Sequence, residues 1–236
     1  MHTHQKPRRL EALIEIFVFV ALVMGVKVLV DPFLWKFAGP ISLMTTIILL
    51  TIYMRVRGRA WAQTGLPPLI GPRAKLMLIP QMLLAMAGIA AAGLSIQYGA
   101  TALGYDFMNT IPEGVEDRWG AIRGNLLVYL LWLGVIWTSA AFGEEMFFRG
   151  FLITQFQEVF RNIPGASVLA IILPALLFGY LHYYNQGLRG ALPAGAIGLA
   201  FGVLFLAFRK NLWPLIAVHG FVDTIGMTML YLNMDV

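Results

Sequence analysis

The chain has 236 residues, of which 59% are hydrophobic and only 12% are charged, and this balance excludes an ordinary soluble domain. Its net charge of +5 matches the excess of basic residues in the inner loops of small membrane proteins, so no nucleic-acid partner is expected. The absence of cysteine excludes disulfides, zinc–thiolate sites and a cysteine nucleophile. The sequence predicts one integral membrane domain over residues 1–236, an all-α bundle of about seven transmembrane helices with a polar intramembrane cavity.

The first apolar segment follows a basic N-terminus and predicts a retained membrane helix over about residues 10–30. It carries Glu11, Glu15 and Lys27, and it is longer than the apolar part of a cleaved signal peptide. Asp31-Pro32 predicts a break before a second helix, which extends to about residue 54.

The remaining apolar segments predict five further helices. Their approximate bounds are 75–100, 122–160, 166–183, 191–208 and 214–231. Pro174 predicts an interruption of the fifth helix, and the polar residues 184–190 predict its link to the sixth. Three glycines of the sixth helix predict close packing against a neighbouring backbone: Gly195, Gly198 and Gly202.

The distribution of Lys and Arg predicts the orientation in the membrane. With a cytoplasmic N-terminus, 12 of the 17 basic residues fall on the inner side, four fall outside, and Lys27 lies within the membrane. The loop at 55–75 is then cytoplasmic, whereas the acidic loop at 104–120 is outside. We expect a multi-pass protein of a prokaryotic plasma membrane, in contact with the lipid bilayer.

Two adjacent carboxylates and an arginine lie inside a long apolar stretch at residues 141–150. On a helix, Glu145 and Arg149 share one face, so the arginine can neutralise that carboxylate. Glu144 points about 100° away and stays free for chemistry. Ionisable groups are costly at membrane depth, which favours a functional site. A charge cluster at a helix end near the bilayer surface is the alternative interpretation.

Two histidines also lie in predicted membrane helices, whereas His2 and His4 precede the first one. His182 is near the end of the fifth helix, and His219 shares a helical face with Asp223. A single histidine on an apolar helix is most often a packing residue, but this set of polar groups favours a common site. A hairpin at residues 164–165 would bring Glu144 and His182 to the same depth.

Counting residues from the helix ends does not bring all these groups to one depth. It places Glu144 and His219 near the inner ends of their helices and His182 near an outer end. A single site therefore requires a long, tilted fourth helix and a break at Pro174. We expect access to this site from the cytoplasm.

Three short patterns occur in order along the second half of the chain: Glu144-Glu145-x-x-x-Arg149, Phe178-x-x-x-His182 and His219-x-x-x-Asp223. Their order and helical setting resemble the CPBP family, which holds the CAAX prenyl proteases and bacteriocin-processing enzymes and is also called the Abi family. The resemblance covers a catalytic core at about residues 126–230. It implies an intramembrane endopeptidase acting on a peptide or protein substrate with a membrane-proximal cleavage site, and it does not imply that the substrate is prenylated.

The resemblance also implies roles for four residues. Glu144 would be the general base that activates water, and His182 would be its partner. His219 and Asp223 would line the side of the site where the oxyanion develops.

Glu145 and Arg149 would be a supporting pair in the same scheme. Asp223 is a departure, because the prenyl proteases tend to carry Asn at this position. An ionised Asp cannot donate a hydrogen bond to an oxyanion, so we expect Asp223 to orient His219 instead.

Other interpretations use the same polar residues. No cofactor is predicted. A bound zinc ion is the alternative, because four side chains supply suitable N and O ligands: Glu144, His182, His219 and Asp223. The chain has no His-Glu-x-x-His motif. A catalytically inactive membrane scaffold or a small transporter would carry similar intramembrane charges, although a transporter often shows an internal repeat that this sequence lacks.

Overall fold

The computed structural model describes residues 8–234 and shows a bundle of helices. Its α-helices are α1 (Arg9–Val56), α2 (Gly71–Leu76), α3 (Leu78–Ala102), α4 (Glu113–Trp119), α5 (Leu126–Val135), α6 (Thr154–Val159), α7 (Ala166–Ala207) and α8 (Trp213–Tyr231). A π-helical segment, Ile136–Ile153, joins α5 to α6. The predicted all-helical class is thus confirmed for this part of the chain, whereas Lys6 and the histidines at positions 2 and 4 lie outside the described residues.

Five helical stretches are long and apolar enough to cross a membrane. They are Arg9–Val56, Gly71–Ala102, Leu126–Val159, Ala166–Ala207 and Trp213–Tyr231. These stretches support an integral membrane protein. The figure of about seven crossings stays a prediction, and two of the five stretches fold back on themselves.

The first of these folded stretches is α1. Its backbone leaves the helical conformation at Leu34, with φ −140° and ψ 50°. The limbs on either side then lie together, because the rings of Phe19 and Tyr53 are 5.5 Å apart. The break comes after the predicted Asp31-Pro32, since the φ that the proline ring imposes is itself compatible with a helix.

A buried carboxylate fastens this hairpin to the rest of the bundle. Glu15 is 4% exposed, and it accepts hydrogen bonds from Tyr53 Oη at 2.7 Å and from both terminal nitrogens of Arg59 at 2.8 Å. Gln155 of α6 donates to the same carboxylate. A charge at this depth is tolerated because donors surround it.

The second folded stretch is α7, which bends at Gly187, where φ is 56° and ψ is −153°. Its two limbs pack at backbone distance. A Cβ on Gly198 would lie 3.1 Å from Ala175, and a Cβ on Gly179 would lie 2.7 Å from the carbonyl oxygen of Ala191. The predicted glycine packing is therefore present, and the neighbour is the first limb of the same helix.

The interruption predicted at Pro174 is wrong. Pro174 is buried inside the first limb of α7, and the non-helical residue in α7 is Gly187. A proline in a membrane helix can keep the helical φ, and neighbouring groups compensate for its missing donor. A glycine, in contrast, can adopt a positive φ at little cost. The predicted polar link at 184–190 is consequently helical on both sides of a single bend.

Substitution of Gly187 by Ala is expected to destabilise the protein by about 1–3 kcal/mol, because a side chain strains this left-handed backbone even though no atom would lie within 4 Å of its Cβ. Thermal unfolding in detergent measures the effect. Gly93 of α3 also has open space around its Cβ but has a helical backbone, so Gly93→Ala is the control and should not lower the melting temperature. Equal melting temperatures for the two variants would contradict the strain.

The fourth predicted helix forms the continuous stretch Leu126–Val159, which includes the π-helical segment. It begins after Gly124, whose φ is 64°, and the side chain of Asn125 accepts a hydrogen bond from the Val128 amide at 3.2 Å. It therefore starts later than the predicted residue 122. Its end at Val159 agrees with the prediction that the helix reaches about residue 160. Turns of π-helix are rare in proteins, and those that occur are often at functional sites.

The predicted outer loop contains α4, which the sequence analysis did not identify. Arg118 Nε donates to the carbonyl oxygen of Lys36 at 3.0 Å, next to the bend of α1. A Cβ on Gly114 would lie 2.5 Å from the carbonyl oxygen of Asn185, next to the bend of α7. The short helix therefore lies across both hairpin bends and covers that end of the bundle.

The two hairpins are also joined to each other near their bends. Lys27 and Asp31, both in α1, form an ion pair at 3.2 Å. Tyr184 of α7 donates to Asp31 at 2.8 Å, and the Lys27 ammonium lies 3.7 Å from the centroid of the Tyr184 ring. The intramembrane lysine thus has both an anionic and an aromatic partner.

Reporter fusions at Arg59 and Pro112 are expected to give opposite signals, because the basic residues predict a cytoplasmic position for Arg59 and an outer one for Pro112. The structure supports their separation, since Arg59 contacts Glu15 at one end of α1 whereas Pro112 begins α4 at the bend of α1. A reporter that fluoresces only in the cytoplasm and an enzyme that is active only outside it measure the two sides. The same signal at both positions would overturn the orientation.

Candidate active site

A cavity of about 590 Å³ lies between α1, α4, the π-helical segment, α7 and α8. Most of its lining side chains are apolar. Its polar lining includes five of the six polar residues that the sequence motifs contain, namely Glu144, Arg149, His182, His219 and Asp223. The sixth, Glu145, is buried behind this wall. The structure therefore brings the three motifs to one concave site, the usual location of a binding or catalytic centre.

The two adjacent glutamates differ in their surroundings. The side chain of Glu144 is 21% exposed and lines the cavity, whereas that of Glu145 is 0% exposed. This difference follows from helical rotation, which turns consecutive residues to different faces. Of the two glutamates, only Glu144 therefore faces the cavity.

Glu145 and Arg149 form a buried ion pair with 2.8 Å between Oε1 and Nη1. Arg149 is 2% exposed, and its guanidinium carbon lies 4.7 Å from the ring centroid of Phe178 and 5.4 Å from that of Phe201. The predicted neutralisation of one glutamate by the arginine is thus present, and two aromatic rings add cation–π contacts.

His219 connects this buried pair to the cavity. Its Nδ1 lies 2.9 Å from Glu145 Oε1, and because a carboxylate accepts, Nδ1–H is the donor. On the other side of the ring, Nε2 lies 3.5 Å from Asp223 Oδ2 and 3.9 Å from Glu144 Oε2. The orientation that we expected from Asp223 is therefore shared with Glu145, whose bond to the ring is the shorter.

The bond between Glu145 and His219 was not predicted from the sequence. Glu145 and His219 are 74 residues apart, and local spacing carries no signal for such a pairing. This bond gives Glu145 a second role besides neutralising Arg149. Because Glu145 accepts the hydrogen bond from Nδ1, Nε2 is the ring nitrogen that faces the cavity.

His182 lines the cavity from the first limb of α7. Its Nδ1 lies 2.8 Å from the carbonyl oxygen of Phe178, so Nδ1–H donates and Nε2 is an acceptor in the neutral ring. Within residues 8–234, no hydrogen bond joins His182 to Glu144. The two residues instead line the same cavity.

Charged and aromatic residues of the loop that holds α4 also line the cavity. Arg118, Trp119 and Arg123 belong to this group, and Arg123 pairs with Glu116 at 3.1 Å. Burial lowers the pKa of Arg118 to about 10, and attraction to Glu144 opposes this shift. These residues had no motif or periodicity that would have identified them from the sequence.

The loop residues at the cavity belong to the end of the bundle that α4 covers, away from the contacts of Arg59 with Glu15. In the predicted orientation this end is the outer one. The expected access from the cytoplasm stays a prediction, as does the orientation on which it depends.

The residues considered as zinc ligands do not form a metal-binding group. Across the described part of the chain, no three His, Asp or Glu side chains are arranged to hold a metal ion. One nitrogen of each cavity histidine is already used, by Glu145 in the case of His219 and by the Phe178 carbonyl in the case of His182. Metal-bound histidines also donate their second ring nitrogen to acceptors of this kind, so the zinc alternative stays a prediction that chelation tests.

Comparison with known proteins identifies one family. Residues 126–225 match the family model described as Rce1-like, Type II CAAX prenyl endopeptidase Rce1-like. No curated protein and no solved structure gives a significant match. The matched segment runs from the start of α5 into α8 and contains all three motifs, which confirms the resemblance seen in the sequence.

Proposed function

Since residues 126–225 match the Rce1-like family model, we propose that the chain is an intramembrane endopeptidase of the CPBP family. The substrate is a peptide or protein with a cleavage site near the membrane, and the nucleophile is a water molecule activated by Glu144 and His182. One observation carries this proposal. His219, oriented by buried Glu145, lies within 4 Å of both Glu144 and Asp223 at the wall of the cavity.

In the first step, Glu144 accepts a proton from water while the water oxygen bonds to the carbonyl carbon of the scissile peptide. The partial exposure of Glu144 to the cavity supports this role. His182 orients the water, because its Nε2 is an acceptor when Nδ1–H is bound to Phe178. The product of this step is a tetrahedral intermediate with a negative oxygen.

His219 stabilises that oxygen in our proposal. Its Nδ1–H is committed to Glu145, so donation from Nε2 requires the imidazolium form, for which three neighbouring carboxylates supply the opposite charge. In the second step the carbon–nitrogen bond breaks, and the proton held by Glu144 moves to the departing amine nitrogen. The products are a carboxylic acid, which then loses its proton to solvent, and a free amine, and the site returns to its starting state.

Asp223 is a positioning residue in this scheme. It lies one turn after His219 on α8, with 3.5 Å between its Oδ2 and the ring Nε2. A carboxylate there holds the histidine ring without donating to the oxyanion. This role accommodates an aspartate where the prenyl proteases tend to carry asparagine.

Chelators are expected to leave cleavage unchanged, because Glu144 and His182 activate water directly in the proposed mechanism. The measurement is peptide cleavage by the purified protein before and after dialysis against a strong chelator, with metal content determined in parallel. Activity lost to the chelator and restored by zinc alone would establish the metal-dependent alternative instead.

The proposed function itself is tested by proteomics of membrane fractions. Cells that carry the wild-type chain should show new peptide termini that are missing from cells with Glu144→Ala. Glu113→Ala removes a carboxylate from the start of α4, outside the cavity lining, and is the matched control that should retain those termini. Identical sets of termini in wild-type and Glu144→Ala cells would overturn the proposal.

A further inference from the structure

The end of the cavity below α4 carries a cation without an acidic partner. Arg118 donates to the Lys36 carbonyl, and its guanidinium carbon lies 4.9 Å from the Trp119 ring centroid and 5.4 Å from that of Trp132. Among residues 8–234 it forms no ion pair within 4 Å. The aromatic rings shield the charge from solvent without neutralising it.

Three other cations of the cavity wall each form an ion pair with a carboxylate. Lys27 pairs with Asp31 at 3.2 Å, and Arg149 pairs with Glu145 at 2.8 Å. Arg123 pairs with Glu116 at 3.1 Å. Arg118 differs from these three residues, although it is half-buried and lines the same cavity.

Two hydrogen-bond donors of residues that line the same cavity also lack partners. Trp119 Nε1 and Asn185 Nδ2 are both buried and have no hydrogen bond within the part of the chain that the structure describes. Both residues line the cavity, and Asn185 is only 9% exposed. Buried donors in native proteins are normally satisfied, so a pair of unsatisfied ones at a cavity wall points to a missing acceptor.

These donors belong to one small region. Arg118 and Trp119 are consecutive residues at the end of α4, and α4 approaches the Asn185 backbone so closely that Gly114 has no room for a Cβ. The guanidinium and the indole can only donate hydrogen bonds. The region therefore combines a positive charge with donors, and it lacks a counter-ion.

We propose that Arg118, Trp119 and Asn185 form a subsite for a carboxylate group of the substrate. A carboxylate supplies both the negative charge that Arg118 lacks and acceptors for the two neighbouring donors, whereas a neutral carbonyl supplies only the acceptor. The inference rests on the proposed peptidase function, because it takes the ligand to be part of a peptide. Arg118 and Glu144 line the same cavity, so a peptide held at this subsite extends toward the proposed general base.

Two parts of a peptide can supply this group, namely a free C-terminus or an Asp or Glu side chain. Three probes separate them: acetyl-Leu-Leu-Leu with a free terminus, the same peptide as an amide, and acetyl-Leu-Asp-Leu amide. Binding is measured by tryptophan fluorescence on the Glu144→Gln protein in detergent, with mass spectrometry to verify that each probe stays intact. At least one of the two acids should bind about 10-fold or more tightly than the Leu-Leu-Leu amide. The acid that does so identifies the source.

Variants test whether Arg118 is responsible. Arg118→Gln should remove the preference for the acid, whereas Arg123→Gln, which removes a neutralised cation of the same wall, should retain it. Asn185→Asp adds a carboxylate to the subsite with little change in shape and should reduce the preference by about 10-fold. If Arg118→Gln does not fold, Asn185→Asp still tests the preference for the acid.

Two results would overturn the subsite: equal binding of acids and amide to the parent protein, or a preference that survives both subsite variants. Binding to the Glu144→Gln protein does not require catalysis. Failure of the subsite is therefore distinct from failure of the proposed function, which would appear as unchanged termini in the membrane proteome.

Discussion

Replacement of Glu144 by Gln is expected to lower the rate of peptide hydrolysis by about 10²- to 10⁴-fold, the usual effect of removing a general base. Glutamine preserves the shape and part of the hydrogen bonding of the side chain, but it cannot accept a proton from water. Since the side chain lies at the wall of the cavity, substrate binding should survive. The measurement is kcat and KM for a peptide made from a cleavage site found in the membrane proteome.

Substitutions of two residues near Glu144 provide the comparison for this loss of kcat. Asp223→Asn also removes a carboxylate that faces His219, at 3.5 Å, but it should retain much of the activity if Asp223 only positions the ring. His219→Ala should reduce kcat as strongly as Glu144→Gln, because it removes the proposed oxyanion donor. A Glu144→Gln enzyme with normal kcat would show that another group is the base.

Substitution of Glu145 by Gln is expected to act through stability, with a loss of about 3–5 kcal/mol, because it leaves the charge of Arg149 buried without its partner. We expect the full loss of stability because both side chains are buried, with exposed fractions of 0% for the glutamate and 2% for the arginine. Thermal unfolding in detergent, together with the yield of folded protein, measures it.

Glu158→Gln is the matched control for the buried pair. It removes a glutamate that contacts Arg161 at 3.5 Å near the surface, where an ion pair contributes at most about 1 kcal/mol. A Glu145→Gln protein that is as stable as wild type but inactive, together with an active Glu144→Gln protein, would reverse the roles of the two glutamates.

Much of the helical framework can be predicted from the sequence, because apolar length is a strong signal. The bends are harder to predict. Proline suggested breaks at Pro32 and Pro174, yet the backbone departs from the helix at Leu34 and Gly187. A proline constrains one φ and removes one donor, and a packed membrane helix tolerates both, whereas the place where a chain reverses depends on the packing of its two limbs.

In the site, too, contacts within one helix could be predicted from the sequence, whereas contacts between helices could not. Residue spacing along one helix correctly predicted that Glu145 and Arg149 interact. The bond between Glu145 and His219 joins different helices, and it depends on how α8 packs against the π-helical segment. Arg118 was not identified as a cavity residue, because a loop has no periodicity that would indicate the direction of its side chains.

The cluster of Lys27, Asp31 and Tyr184 has a consequence for biosynthesis. Tyr184 follows Asp31 by 153 residues, so it is not available when the first hairpin enters the bilayer. A single Lys or Asp costs about 2.5–3.5 kcal/mol at the centre of an inserting helix and less toward its end. Lys27 and Asp31 lie one turn apart and pair within their own helix, so the nascent segment can enter the membrane with its two charges already neutralising each other. The tyrosine then joins a pair that formed early and adds a tertiary contact to a hairpin that was able to insert without it.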